Sequence, residues 1–164
     1  MAYTTIDDPS AYFQTALYTG NGGTQSITNN GNSDLQPDWI WIKSRNEAEH
    51  HNLVDSVRGN TKVVYSSLTG VEDTTSIQVT SFASDGFALG SGTNTNKNTI
   101  TYAAWQWKAG TSFSNDASST SVGSIDSAGS VSTAAGFSII SYTGTGANAT
   151  IAHGLGVAPS MIIT

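Results

Sequence analysis

A stretch near the start of this chain returns near its end, and that repeat limits what the chain can fold into. Tyr12-Phe13 through Tyr18-Thr19-Gly20-Asn21-Gly22 aligns with Gly136-Phe137 through Tyr142-Thr143-Gly144-Thr145-Gly146 at one constant offset. Ile27 then matches Ile151. After a two-residue gap, Pro37-Asp38-Trp39-Ile40 matches Pro159-Ser160-Met161-Ile162. A tandem repeat is the simplest explanation. It divides the chain into an N-terminal arm (1–11), a first domain (12–109), a connecting segment (110–134) and an incomplete second copy (135–164). The second copy stops at Thr164, inside the equivalent of the segment Trp39–Lys43. A third of a domain cannot close its own core. The expectation is that the biological chain continues, or that the tail docks on the first domain or on a neighbouring subunit.

The repeated unit reads as β-structure. Tyr12–Thr19 is strand-like, and Asn21-Gly22 after it is a hairpin-turn signal. Trp39-Ile40-Trp41-Ile42-Lys43 is an apolar, β-prone run, expected as a central strand. Thr61–Ser67, Ser76–Phe82, Gly86–Gly90 and Thr99–Lys108 follow as further short strands between turn residues. No stretch longer than ten residues carries a helical apolar stripe, so helix is confined to one turn near Asn52–Val57. Many short strands at this spacing predict an all-β fold, an antiparallel β-sandwich of lectin or jelly-roll type. Its core is expected to hold Phe87, Leu89, one of Trp39 and Trp41, and one of Trp105 and Trp107. Residues Gly110–Ala134 are mainly Ser, Ala, Gly, Thr and Asp, with Phe113, Val122, Ile125 and Val131 the only sizeable apolar side chains. Such a segment buries too little to offset its ordering entropy, which predicts a linker or a long surface excursion.

Composition narrows the function. Charged residues are only 11%, while Ser and Thr number 23 and 22. The net charge is −6, and an acidic chain poor in Lys and Arg is a poor partner for nucleic acid or anionic lipid. With no Cys, disulfides and thiolate zinc sites are ruled out. Met1-Ala2-Tyr3-Thr4 opens no secretion signal, and no apolar run reaches a membrane-spanning length, so folding in a cytosol is expected.

Signs of chemistry are weak. Gly20-Asn21-Gly22-Gly23 and Gly144-Thr145-Gly146 each follow a strand, but no helix pattern opens after them, so both read as turns rather than phosphate loops. Glu47, Glu49, His50, His51 and Asp55 are metal-capable residue types. Adjacent histidines on extended chain point to opposite faces, however, and the cluster reads as a solvated loop. His153, in Ala152-His153-Gly154-Leu155-Gly156, reads as a turn residue. Neither a Gly-x-Ser-x-Gly elbow nor a defined acid pair is present. No catalytic, cofactor or metal residue is assigned, and no enzyme activity is expected. The residues that stand out are Trp39, Trp41, Trp105 and Trp107, two Trp-x-Trp pairs. On a strand, residues i and i+2 share a face. Such a pair serves core packing, or contact with a glycan or protein partner.

Several runs together carry a resemblance. They are Ala16-Leu17-Tyr18-Thr19-Gly20-Asn21-Gly22, Gln36-Pro37-Asp38-Trp39-Ile40-Trp41-Ile42-Lys43-Ser44-Arg45, Asp55-Ser56-Val57-Arg58-Gly59, Ser84-Asp85-Gly86-Phe87-Ala88-Leu89-Gly90 and Tyr102-Ala103-Ala104-Trp105-Gln106-Trp107-Lys108-Ala109-Gly110. Ser141-Tyr142-Thr143-Gly144 and His153-Gly154-Leu155-Gly156-Val157-Ala158-Pro159 complete the set. In this order they resemble a repeated domain of virion structural proteins of marine tailed phages, including cyanophages. The resemblance implies a tail-fibre or appendage component attached through its N-terminal part and involved in host adsorption. The alternatives it leaves are a capsid-attached fibre or decoration protein, and a carbohydrate-binding module that reads the host surface. It further implies other virion proteins as partners, a homotrimer, and assembly into the virion in the host cytoplasm. It brings no catalytic residues and no cofactor.

Overall fold

The computed structural model describes residues 6–164. It is nearly all β and antiparallel, and it divides into two compact units, one of Asp7–Lys108 and one of Ala109–Thr164 with Ile6. Of the expected N-terminal arm, residues 1–5 lie outside the described residues. Pro9–Ala11 forms a 3-10 turn capped by the Asp8 carboxylate, which accepts from the Ser10 amide.

The unit Asp7–Lys108 is a β-sandwich. Its strands are β1 (Phe13–Thr19), β2 (Gln25–Thr28), β3 (Trp39–Ser44), β4 (Asn52–Asp55), β5 (Lys62–Tyr65), β6 (Asp73–Thr74), β7 (Val79–Ala83), β8 (Gly86–Leu89) and β9 (Thr101–Trp107). A six-stranded sheet has the order β1-β9-β3-β4-β5-β6, and a three-stranded sheet the order β2-β8-β7. The core lies between them. Ile40, Ile42, Val54, Val63, Tyr102 and Ala104 come from the large sheet, and Ile27, Val79, Phe87 and Leu89 from the small one. Eight of these side chains are completely sealed from solvent: Ile40, Ile42, Val54, Val63, Val79, Phe87, Tyr102 and Ala104.

The strand expected over Ser76–Phe82 begins later, at Val79. Ile77 is half exposed instead of alternating into the core. A bulge between Val79 and Ser81 lets Val79 and Phe82, three residues apart, both pack on the core. The turn Ser84-Asp85-Gly86 then needs Gly86, whose φ is 108° and whose Cβ position would strike the Ile27 carbonyl.

Four expectations are corrected. Asn52–Val57 is not a turn of helix. Asn52–Asp55 is β4, with Val54 in the core and Leu53 on the opposite face, paired to Ile40 and Trp41 of β3. Among the described residues, α-helix occurs instead as two single turns, α1 (Thr93–Asn96) and α2 (Ala117–Thr120). The core does not take one Trp of each pair. All four Trp share the outer face of the large sheet, because the core face of those strands belongs to the alternate residues Ile40, Ile42, Ala104 and Gln106.

The third correction concerns Gly110–Ala134, expected as a linker. It carries β10 (Thr111–Asn115), α2 and β11 (Ser127–Ser132). With β12 (Phe137–Tyr142) these make a three-stranded sheet of order β10-β11-β12. Pairing satisfies the backbone of this Ser- and Gly-rich chain, and Gly129 lets strands and the Phe113 ring approach closely. The fourth concerns the second copy, where only β12 is a strand. Ile151, Leu155, Val157, Met161 and Ile162 lie in irregular chain. In the first copy β3 pairs with β9 and β4, and no counterpart of β9 follows β12 among the described residues. Pro159–Ile162 forms no strand. The residues before it fold onto β10 and β11. Gly154 packs against Val131 and Phe113, and the Ser127 hydroxyl donates to the Ala152 carbonyl at 3.0 Å.

Candidate functional site: an aromatic sheet face

Antiparallel pairing of β3 with β9 sets Trp39 opposite Trp107 and Trp41 opposite Trp105. β1 adds Phe13 beside Trp107 and Thr15 beside Trp105, and β4 adds Leu53 beside Trp41. Because side chains alternate between faces, the sequences Trp-Ile-Trp-Ile and Ala-Trp-Gln-Trp place every indole on the outer face.

The rings form one continuous patch. Trp39 and Trp107 have centroids 4.6 Å apart at 32°. Phe13 packs on Trp107 at 4.9 Å and 54°. Trp39 meets Trp41 at 6.0 Å, and Trp41 meets Trp105 edge-on at 6.2 Å and 70°. These offset and edge contacts are the arrangements aromatic quadrupoles favour. The four indoles are half-buried, and the patch shields Leu53 and Ala103, which are 6% and 7% exposed. Its β1 margin is open: Phe13 is 40% and Leu17 65% exposed.

Trp41 is fixed in orientation. Its Nε1–H donates to Nδ1 of His51 at 2.9 Å, and the rings lie 5.7 Å apart. That bond requires Nδ1 unprotonated, so a neutral His51 carries its proton on Nε2. Burial, and then the Lys43 charge, hold the His51 pKa below the usual histidine range. The Lys43 ammonium folds over the adjacent loop and donates to the Ser44 and Glu47 carbonyls. The arrangement provides a rigid apolar surface of tilted rings with polar edges, suited to shape contact.

The Glu47–Asp55 cluster is dispersed. Lys97 takes Glu47 at 2.6 Å and Glu49 at 3.9 Å, Arg58 takes Asp55 at 2.6 Å, His51 serves Trp41, and His50 lies 3.3 Å from the Ser67 hydroxyl. Among the described residues, no group of three or more His, Asp or Glu could hold a metal ion. His153 Nδ1 accepts from the Leu155 amide. The Gly20–Gly23 turn is held by Asn96, whose Nδ2 donates to the Gly23 and Gly90 carbonyls and whose Oδ1 accepts from the Asn21 amide. The other unit has a shallow open pocket of about 280 Å³ lined by residues including Asn115, Asp116, Asp126, Ser127 and Tyr142. Both acids there are engaged with amides of α2.

Sequence reasoning found the four Trp but missed Phe13, Leu17 and His51. Phe13 and Leu17 share parity on one strand, a signal present in the sequence. His51 becomes visible only once β4 is known to run antiparallel to β3.

The chain belongs to the family described as Domain of unknown function (DUF7483), whose model matches residues 8–164. No curated protein and no solved structure matches it.

Proposed function

We propose that this family member is a non-enzymatic structural module of a virion surface protein, a tail-fibre or appendage component that works by contact with other virion proteins and with the host. The observation that carries the contact part is the aromatic face. Four indoles and Phe13 form a rigid patch on the outside of a sheet whose other face already holds a complete core. A sandwich does not need aromatic rings on its outer face for stability, and contiguous apolar patches of this kind mark interaction surfaces. The virion setting rests on the resemblance of the ordered motifs from Ala16 to Pro159. Gold-labelled antibody fragments against Asp7–Lys108, applied to intact particles, test it. Label on tail appendages supports the proposal, and label on the capsid supports the capsid-attached alternative. Absence of the chain from purified particles overturns both.

A second reading has its own observation. Trp41 and Trp105 meet edge-on, Thr15 opposite Trp105 is exposed, and Leu17 two residues further along β1 is 65% exposed, which leaves a margin on which a sugar ring could stack. Host envelope polysaccharide should then quench the Trp fluorescence. Trp105→Ala should weaken binding by about 2 kcal/mol or more, as a contact at the centre of a patch does. Unchanged fluorescence at saturating polysaccharide would remove this reading.

A further inference from the structure

The chain holds two Asn-Gly pairs, Asn21-Gly22 and Asn30-Gly31. Such a pair can react with itself. The glycine amide nitrogen loses its proton and attacks the asparagine Cγ. A nitrogen–carbon bond forms, the Cγ–Nδ2 bond breaks, and ammonia leaves with the proton. Water then opens the cyclic imide to aspartate or isoaspartate. Glycine favours the reaction because no Cβ crowds the ring. The structure holds the two pairs differently. In the first, both reacting groups are fixed. The Gly22 amide donates to the Asn96 carbonyl at 2.8 Å. Asn21 Nδ2 donates to the Thr24 carbonyl, and Asn21 Oδ1 accepts from the Gly23 amide and from Asn96 Nδ2. In the second, Asn30 is exposed, and its carboxamide makes no hydrogen bond among the described residues. The restraint falls on the nucleophile: the Gly31 amide donates to Gln14 Oε1 at 2.9 Å. Gln14 is 7% exposed, and its Nε2 donates to the Ser10 and Ser33 carbonyls, which fixes Oε1 against that amide. Glycine is required there, since a Cβ at position 31 would lie 2.6 Å from Gln14 Oε1 and 2.7 Å from Ser10 Cβ. The packing that excludes a side chain thus leaves a reactive pair in an exposed loop.

We propose that Asn30 is a self-modification site and that Gln14 is the side chain that restrains it. An amide oxygen accepts a hydrogen bond but is too weak a base to take the Gly31 proton, so the bond keeps that nitrogen protonated and fixed on β1. Cyclisation needs the bond to open, and local opening of residues 29–34 sets its rate. The product matters to the fold. Isoaspartate adds one backbone atom between positions 30 and 31, in a loop anchored on both sides. Asn29 bonds Gln106 and the Leu35 carbonyl, and Ser33 bonds Ser10 and Asp8. An added atom between these anchors breaks their register. Either product also adds a carboxylate to a chain that is already acidic. None of this depends on the virion setting.

The test ages the full chain in mildly alkaline buffer beside the synthetic peptide Ile-Thr-Asn-Asn-Gly-Asn-Ser, residues 27–33, and reads both by mass spectrometry of digested fragments. Asn30 should convert, about tenfold or more slowly than in the peptide, and Asn21 should stay unconverted over the same time. Gln14→Met fills the same space without the oxygen. It should speed conversion at Asn30 by about tenfold, the effect of roughly one net hydrogen bond, and leave Asn21 unchanged. Conversion of Asn30 at the peptide rate in the wild-type chain overturns the proposal. So does an Asn30 that never converts, an Asn21 that converts first, or a rate that Gln14→Met leaves unchanged. Joint acceleration of both asparagines in the variant means that it has unfolded, and amide exchange at Gly31 in the wild-type chain then decides. Slow exchange there supports the restraint, and exchange at the peptide rate overturns it.

Discussion

Asn96 offers the sharpest test of how the first unit is held together, because one isosteric change reverses its hydrogen bonding. The side chain is completely buried. Its Nδ2 donates to the Gly23 carbonyl at 2.7 Å, the Gly90 carbonyl at 2.8 Å and Asn21 Oδ1 at 3.1 Å, and its Oδ1 accepts from the Asn21 amide at 3.0 Å. It thereby ties α1 to the turn after β1 and to the end of β8. Asn96→Asp keeps the volume and the acceptor, but it turns an oxygen towards two carbonyls that lose their donor. An unsatisfied buried polar group costs about 1–3 kcal/mol, so two carbonyls and the facing oxygen dipoles amount to about 4 kcal/mol near pH 7. The sign with pH is fixed. Burial and the facing carbonyls favour the neutral acid, so its folded pKa lies above the unfolded value of about 3.9. The folded state then binds more protons in the window between the two values, and stability falls as pH rises through that window. Urea unfolding followed by Trp fluorescence measures the effect, since all four Trp lie in Asp7–Lys108. The variant should lose about 4 kcal/mol near pH 7 and regain part of it towards pH 5. A loss below about 1 kcal/mol, or no recovery in acid, would refute the claim that this amide holds the turn.

The remaining predictions use the same signal. Ile40→Ala should cost about 2–5 kcal/mol, against less than about 0.5 kcal/mol for the exposed Thr15→Ala on the outer face, and comparable losses would reverse the assignment of faces. Gly86→Ala should cost more than the roughly 1 kcal/mol of an ordinary glycine replacement, because φ is 108° and the added methyl meets the Ile27 carbonyl; a neutral result would show that the turn relaxes. His51 has a depressed folded pKa, so the unfolded state takes up its proton first, and stability should fall as pH drops below the unfolded value of about 6.5. His51→Gln, whose carbonyl oxygen can still accept from Trp41, should flatten that slope, and an unchanged slope in the variant would assign it to other groups.

Fold class was legible because the evidence for it is local: short alternating runs such as Phe13–Thr19 and Thr101–Trp107 separated by Gly and Asn. Which face lies inside was not legible for β3, since Trp-Ile-Trp-Ile is apolar on both faces and either parity could fill a core. The partner sheet decides it: Phe87 and Leu89 meet Ile40 and Ile42, and the indoles are left outside. Asn52–Asp55 was misread because its four residues carry polar ends, whereas the structure buries all four by pairing them with Ile42 to Trp39. Gly110–Ala134 was misread for a different reason. Its few apolar residues do not order it alone, but Phe113 and Val131 gain partners from Gly154, forty-one and twenty-three positions further on. Long-range contact of that kind leaves no trace in a local window. The same limit applies to the repeat. Like sequence in Phe13–Thr19 and Phe137–Tyr142 gave like strands, yet a strand has two edges and its sequence does not choose between them. β9 takes one edge in the first copy and β11 the other in the second, so what was repeated is a strand and not a pairing.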